Sequence, residues 1–150
     1  MAQYIPSPRD WVREQVELYE SSGGTKGTTL RDTGLPVIIV TNTGNKTGAI
    51  RKTPLMRVAD GGNYVLVGSQ GGAPKDPVWV YNLRSNPVVE IRDLTVVRAM
   101  QTREVTDPAE RARFYGKIFV FTFFNIPTFY FDKFGICCMM EISNGMIGFY

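Results

Sequence analysis

Val37-Ile38-Ile39-Val40 is β-branched throughout and runs into Thr41-Asn42-Thr43-Gly44-Asn45, and the reading of this stretch decides the fold. Branching at Cβ stiffens χ1 and suits a buried, pleated strand, whereas Asn42-Thr43-Gly44-Asn45 carries the residue types that turn a chain. Downstream, residues 53–59 and 63–69 read as two further strands joined by Asp60-Gly61-Gly62, whose glycines permit positive φ, hence a hairpin. Asp76-Pro77 opens a short helix that runs through Trp79 and Leu83 and is stopped by Asn86-Pro87. Residues 88–92 and 96–104 give two more strands around Asp93, and residues 136–142 close the sheet as a last one. Asp107-Pro108-Ala109-Glu110 has the capping pattern of another helix.

Upstream, Ser7-Pro8-Arg9-Asp10 predicts a helix with Ser7 as N-cap, and Trp11, Val12, Val16 and Tyr19 recur at helical spacing. Residues 21–29 are rich in Gly, Ser and Thr without periodicity, which predicts a flexible connector. Short strands dominate, and no strand-helix-strand alternation of a parallel sheet occurs. The expected fold class is therefore mainly β, or α+β: about six antiparallel strands in a barrel-like sheet with a few flanking helices. Closure of that sheet removes exposed strand edges. Residues 1–150 are expected to form a single domain, of which 1–29 is the N-terminal helix and connector.

With 150 residues, 43% of them hydrophobic and 21% charged, the chain suits one compact core rather than disorder. A net charge of +3 is too mild for a nucleic-acid binder but suits a small anionic ligand. Histidine is absent, which removes the commonest general base near neutral pH and the commonest zinc ligand, so no metal site is expected. Cys137 and Cys138 are adjacent and cannot easily bridge, which points to a reducing, cytoplasmic compartment. Residues 1–9 carry Pro6 and Pro8 with no apolar h-region after them, so no signal peptide is expected. The apolar run 118–131 contains Asn125 and Pro127 and falls short of the roughly 20 residues that span a bilayer. All nine phenylalanines follow residue 113. They pack as core, line an acceptor pocket or form a surface patch that touches a partner or a membrane.

Residues 41–51 combine backbone donors, hydroxyls and fixed charge. Such a turn can grip an anion, with Lys46 and Arg51 adding charge-assisted hydrogen bonds of roughly 1.5–3 kcal/mol each. A Walker A loop is not met, since Asn45 stands where its glycine is required, and no Gly-x-Gly-x-x-Gly follows a strand. A second glycine-rich element, Gly68-Ser69-Gln70-Gly71-Gly72, leads through Lys75 to the helix near Pro77. There a backbone can approach a flat ligand, and the helix N-terminus favours negative charge. Trp79 and Tyr81 are placed to wall a ring, although an aromatic on a short helix is more often core.

Three stretches taken together are more diagnostic than any one: Thr43-Gly44-Asn45-Lys46-Thr47-Gly48 with Arg51 and Pro54-Leu55; Gly68-Ser69-Gln70-Gly71-Gly72; and Pro77-Val78-Trp79-Val80-Tyr81-Asn82-Leu83 with Asn86-Pro87. In order and spacing they resemble the deazaflavin-dependent nitroreductase family of actinobacteria, within the flavin/deazaflavin oxidoreductase superfamily. The resemblance implies a split β-barrel of the FMN-binding type and binding of coenzyme F420, an 8-hydroxy-5-deazaflavin. It also implies hydride transfer from the reduced ring to a small-molecule acceptor such as a quinone, an unsaturated carbonyl compound or a nitroaromatic. Carried over by position, Asn45, Lys46, Thr47 and Arg51 hold the phosphate and acidic tail, with Lys75 as a helper. Pro54, Leu55 and Met56 line the deazaflavin, Val67, Gly68, Ser69 and Gln70 contact ring or tail, and Val78, Trp79, Val80, Tyr81 and Asn82 complete the wall. Ser69 and Tyr130 are the catalytic candidates, the first hydrogen-bonding the ring and the second supplying a proton. The chain departs from the family at Asn45 and Gln70, where relatives often carry a basic residue, and at Met56, where some carry tyrosine.

Hydride transfer needs an aligned donor and an electrophile rather than an activated nucleophile, so the absence of histidine fits. The rival readings are a non-catalytic carrier or sensor of F420 and a barrel that binds FMN or haem. Peripheral membrane contact and a monomeric or homodimeric state stay open.

Overall fold

The computed structural model describes residues 2–68, 75–122 and 138–144, the side chains of 118–122 excepted. In chain order the elements are α1 (Asp10–Ser21), β1 (Val37–Thr43), β2 (Ile50–Met56), β3 (Ala59–Asp60), β4 (Asn63–Gly68), α2 (Val78–Ser85), β5 (Val88–Asp93), β6 (Val96–Glu104), α3 (Pro108–Thr122) and β7 (Cys138–Ser143). The seven strands form one sheet in the order β2-β1-β5-β6-β7-β4-β3, every neighbouring pair antiparallel.

The sheet is curled. Neighbouring strands lie about 4.8 Å apart, so β5 and β4, three steps apart, would be separated by roughly 14 Å in a flat sheet. Tyr64 at the start of β4 nevertheless donates a 2.6 Å hydrogen bond to Asp93 Oδ2 at the end of β5, and Arg57 reaches the same oxygen at 2.9 Å. Burial and the bond to Asp93 push the Tyr64 hydroxyl up to about 12. The concave face collects Ile38, Val40, Leu66, Val89, Ile91, Met100, Met140 and Ile142, alternate residues of five strands, into one cluster. α2 fills this cluster from one side with Trp79, Val80 and Leu83. On the convex face Val12, Val16 and Tyr19 of α1 cover Val37 and Ile39, and Phe114 of α3 packs with Val65 and Met139.

Several expectations shift here for local reasons. α1 begins at Asp10, because the Ser7 hydroxyl accepts from the Arg9 amide at 3.2 Å and turns the chain ahead of the helix instead of capping it. The strand expected over 53–59 is split: β2 starts at Ile50 and pairs along its whole length with β1, and only β3 forms the hairpin with β4 across Gly61 and Gly62. The first turn correspondingly lies at 44–49, because β1 continues through Thr43. The Asp107 cap holds, its Oδ2 accepting the Glu110 amide at 2.9 Å. Phe114 is wholly buried, and the other phenylalanines fall beyond the described side chains.

The connector at 21–29 is tied down. Ser22 Oγ accepts the Lys26 amide at 2.9 Å, and Gln15 donates to the Gly27 and Thr29 carbonyls at 3.1 and 2.7 Å. Gly24 sits at φ +86°, where a Cβ would lie 1.8 Å from the Leu94 carbonyl oxygen; Gly23 has φ +66° and open space around it. Both positions carry the left-handed penalty of about 1–2 kcal/mol for a residue with a Cβ, but only Gly24 adds a backbone clash. Gly24→Ala is therefore expected to lower the urea midpoint well beyond Gly23→Ala, and equal midpoints would contradict this packing.

Candidate functional site

The turn at 44–49 between β1 and β2 is closed by its own backbone. The Gly44 amide donates to the Ala49 carbonyl at 2.7 Å, Gly48 at φ +70° donates to Gly44 at 2.9 Å, and the Ala49 amide donates to Thr47 Oγ1 at 3.2 Å. This leaves the consecutive amides of Lys46 and Thr47 without a partner among the described residues. The Thr47 hydroxyl accepts internally and keeps its proton to donate, and Lys46 is exposed with no carboxylate partner among the described residues. Successive free amides beside a hydroxyl and an ammonium form an anion-binding concavity.

Arg51, second residue of β2, uses one guanidinium nitrogen on the Ile5 and Pro6 carbonyls at 3.1 and 3.4 Å. Residues 3–5 lie along the free edge of β2, where Ile5 donates to Ile50 and Ile50 donates to Gln3. Carbonyls orient the guanidinium without neutralising it, so its charge stays available. Lys75 is exposed at the border of the described residues.

Asn45 is not a free donor. Its amide donates to Asn82 Oδ1 at 2.9 Å, and its own Oδ1 accepts from Ser85 Oγ at 2.6 Å. Asn82 Nδ2 in turn donates to Asn42 Oδ1 at 2.9 Å. Asn42 and Asn82 are 2% and 4% exposed, so the Asn82 carboxamide is buried in this polar network.

The expected wall on α2 breaks up for a geometric reason: five consecutive helical residues point all round the axis. Trp79 and Val80 are core, while Val78 and Tyr81 are exposed, Tyr81 under the Arg84 guanidinium at 5.5 Å. Alternation splits the β2 trio in the same way. Leu55 faces the concave cluster, Pro54 is buried opposite Ile39 on the α1 side, and Met56 packs beside Val58 and Phe114. Val67 packs on the α3 side opposite Met139, whereas Gly68 lies against α2, where a Cβ would meet Val80 at 2.9 Å. Ser69, Gln70 and Tyr130 lie outside the described residues.

A charged cluster stands beside Gly68. Arg84 grips Glu104 through two bonds at 2.7 and 3.0 Å and Asp76 at 3.1 Å, and Cys138, paired across the ladder with Gly68, donates its thiol to Glu104 at 3.3 Å. The bond from Arg84 holds Glu104 below the ordinary carboxylate range, and burial pushes the Cys138 thiol up to about 12. Among the described residues no group of acidic or thiol side chains could hold a metal ion, and no helix is long and apolar enough to cross a membrane.

This arrangement of turn, sheet and α2 matches known proteins. The family model described as F420H(2)-dependent quinone reductase covers residues 11–122. The chain belongs to that family. F420H(2)-dependent quinone reductases from two strains of Mycobacterium tuberculosis are 45% identical over 56 residues, which is 37% of this chain and 38% of theirs. The chain thus spans well under half the length of the curated relatives it matches. A solved F420-H2 dependent reductase (FDR-A) superposes with a TM-score of 0.61 at 28% identity, covering 72% of this chain and 94% of that one. A second solved structure, a domain-swapped dimer, gives 0.65 at 33% identity over 91% and 100% of the two chains. The curled antiparallel sheet is accordingly the split barrel of these reductases.

Within the F420H(2)-dependent quinone reductase family match fall the turn, α2 and the Arg84–Glu104 pair. Sequence reading missed Asn42, Ser85, Arg84 and Glu104. Two signals were present: Asn42 continues the inward phase of Ile38 and Val40, and Ser85 lies three residues beyond Asn82 on one helix face. The pH dependence has a defined sign. A carboxylate whose folded value is depressed contributes stability above its unfolded value of 4.5 and loses it as pH falls through the folded value. Glu104→Gln should therefore lower the denaturation midpoint at pH 7, with the gap to the parent protein closing as pH drops below 4.5. A gap independent of pH would remove the ion pair from the account.

Proposed function

We propose that this chain binds coenzyme F420 at the turn 44–49 and, with the coenzyme reduced, passes a hydride to a quinone or a similar electrophilic acceptor. The carrying observation is the pair of amides at Lys46 and Thr47 without a partner among the described residues, together with Lys46 and Arg51, which no described carboxylate neutralises. These donors fit a phosphate and a carboxylate tail, and family membership supports the deazaflavin over FMN.

When bound, reduced F420 supplies the hydride. Lys46, Thr47 and Arg51 bind its acidic tail, with Lys75 available to assist. Trp79 and Val80, with Leu55 packed against them, form the apolar cluster beneath the turn side of α2. Ser69 is assigned the hydrogen bond to the ring and Tyr130 the proton for the reduced acceptor. The domain-swapped relative supports a homodimer.

Replacing Lys46 and Arg51 together with alanine should weaken F420 binding at least about tenfold, since each removes one charge-assisted contact. Fluorescence titration measures this, with FMN as the comparison ligand. Oxidation of F420H2 by menadione separates a reductase from a carrier, which binds without turnover. Unchanged affinity in the double variant would remove the turn from the site.

A further inference from the structure

We propose that Asn82 and Ser85 are positioning residues that hold the 44–49 turn in its anion-binding shape, acting through Asn45; this rests on the F420 reading above. Asn82 is 4% exposed, with its oxygen on the Asn45 amide and its nitrogen on Asn42. A buried carboxamide whose oxygen and nitrogen each hold a protein partner is fixed in orientation by those two bonds.

The geometry explains why the turn needs such a clamp. Residues 45–48 are exposed, and the cross-strand ladder of β1 and β2 stops at Thr43 and Ile50. The internal bonds at Gly44, Gly48 and Ala49 close the loop but leave free the direction in which its outer peptides face. Fixing the Asn45 amide on Asn82 and the Asn45 side chain on Ser85 at 2.6 Å holds the residue just before Lys46 at two points. The amides of Lys46 and Thr47 are thereby ordered before an anion arrives, and the entropy of ordering them no longer opposes binding. α2 is a suitable anchor because Trp79, Val80 and Leu83 fix it in the barrel.

A positioning role of this kind has a signature that a general structural role lacks. The clamp acts on the part of the site that grips the tail, so its loss weakens ligands that carry the phosphate and spares the bare ring. The experiment titrates the full chain with F420 and with the deazaflavin chromophore that bears no phosphate tail. For Asn82→Ala the F420 affinity is expected to fall about tenfold or more, and for Ser85→Ala, at an exposed helix end, about threefold. The tail-less chromophore should bind both variants within about twofold of the parent. Should Asn82→Ala fail to fold, Ser85→Ala carries the test alone. Equal losses for the two ligands, or no loss for either, would overturn the inference. Failure of the parent protein itself to bind F420 would overturn the functional reading first, which separates the two conclusions.

Discussion

α2 drives Trp79, Val80 and Leu83 into the concave face of the sheet, and that burial forces Asn82 out of contact with water. A buried carboxamide without partners costs on the order of 1–3 kcal/mol per group, so its placement is tolerable only where the surrounding chain supplies matching groups. Here the matches are Asn42 on β1 and the Asn45 amide in the turn. The apolar plug and the polar clamp are two faces of one constraint. The same helix that completes the core also dictates where the turn after β1 stands.

Charge is distributed to suit this division. On the α3 side Arg103 is paired with Glu110 and Glu141, and Arg113 and Lys117 with Asp60; on α2 Arg84 is paired with Glu104 and Asp76. Around the turn Lys46 has no carboxylate, and Arg51 meets only carbonyls, among the described residues. A net charge of +3 is thus a poor guide to the field at the mouth of the barrel, where uncompensated cations face solvent. Asn45, uncharged beside Lys46, is bonded to Asn82 and Ser85.

Much of the strand inventory was legible because its causes are local. β-branched runs, the Asp107 cap and the Asn86-Pro87 stop act within a few residues, and β5, β6 and α2 fell close to where those signals put them, whereas β1 started there and ran on through Thr43. Misreadings arose where a long-range partner overrode the local pattern. Residues 53–59 form a plausible strand by themselves, but pairing with β1 claims the chain from Ile50 and releases it after Met56. On α2, five consecutive residues were assigned to one surface, and the helical period distributes them between core and solvent.

By itself the sequence determined the antiparallel class, the cationic turn and, through three spaced motifs, the kinship with deazaflavin enzymes, since composition and local propensity are written residue by residue. The tertiary structure alone decided that Asn82 is spent on Asn42 and Asn45 and that Arg84 belongs to Glu104 and Asp76. It also decided that the Lys46 and Thr47 amides have no partner among the described residues. Hydrogen-bond satisfaction of buried groups is a property of contacts made across about 40 positions of chain, and no local pattern encodes which partner arrives.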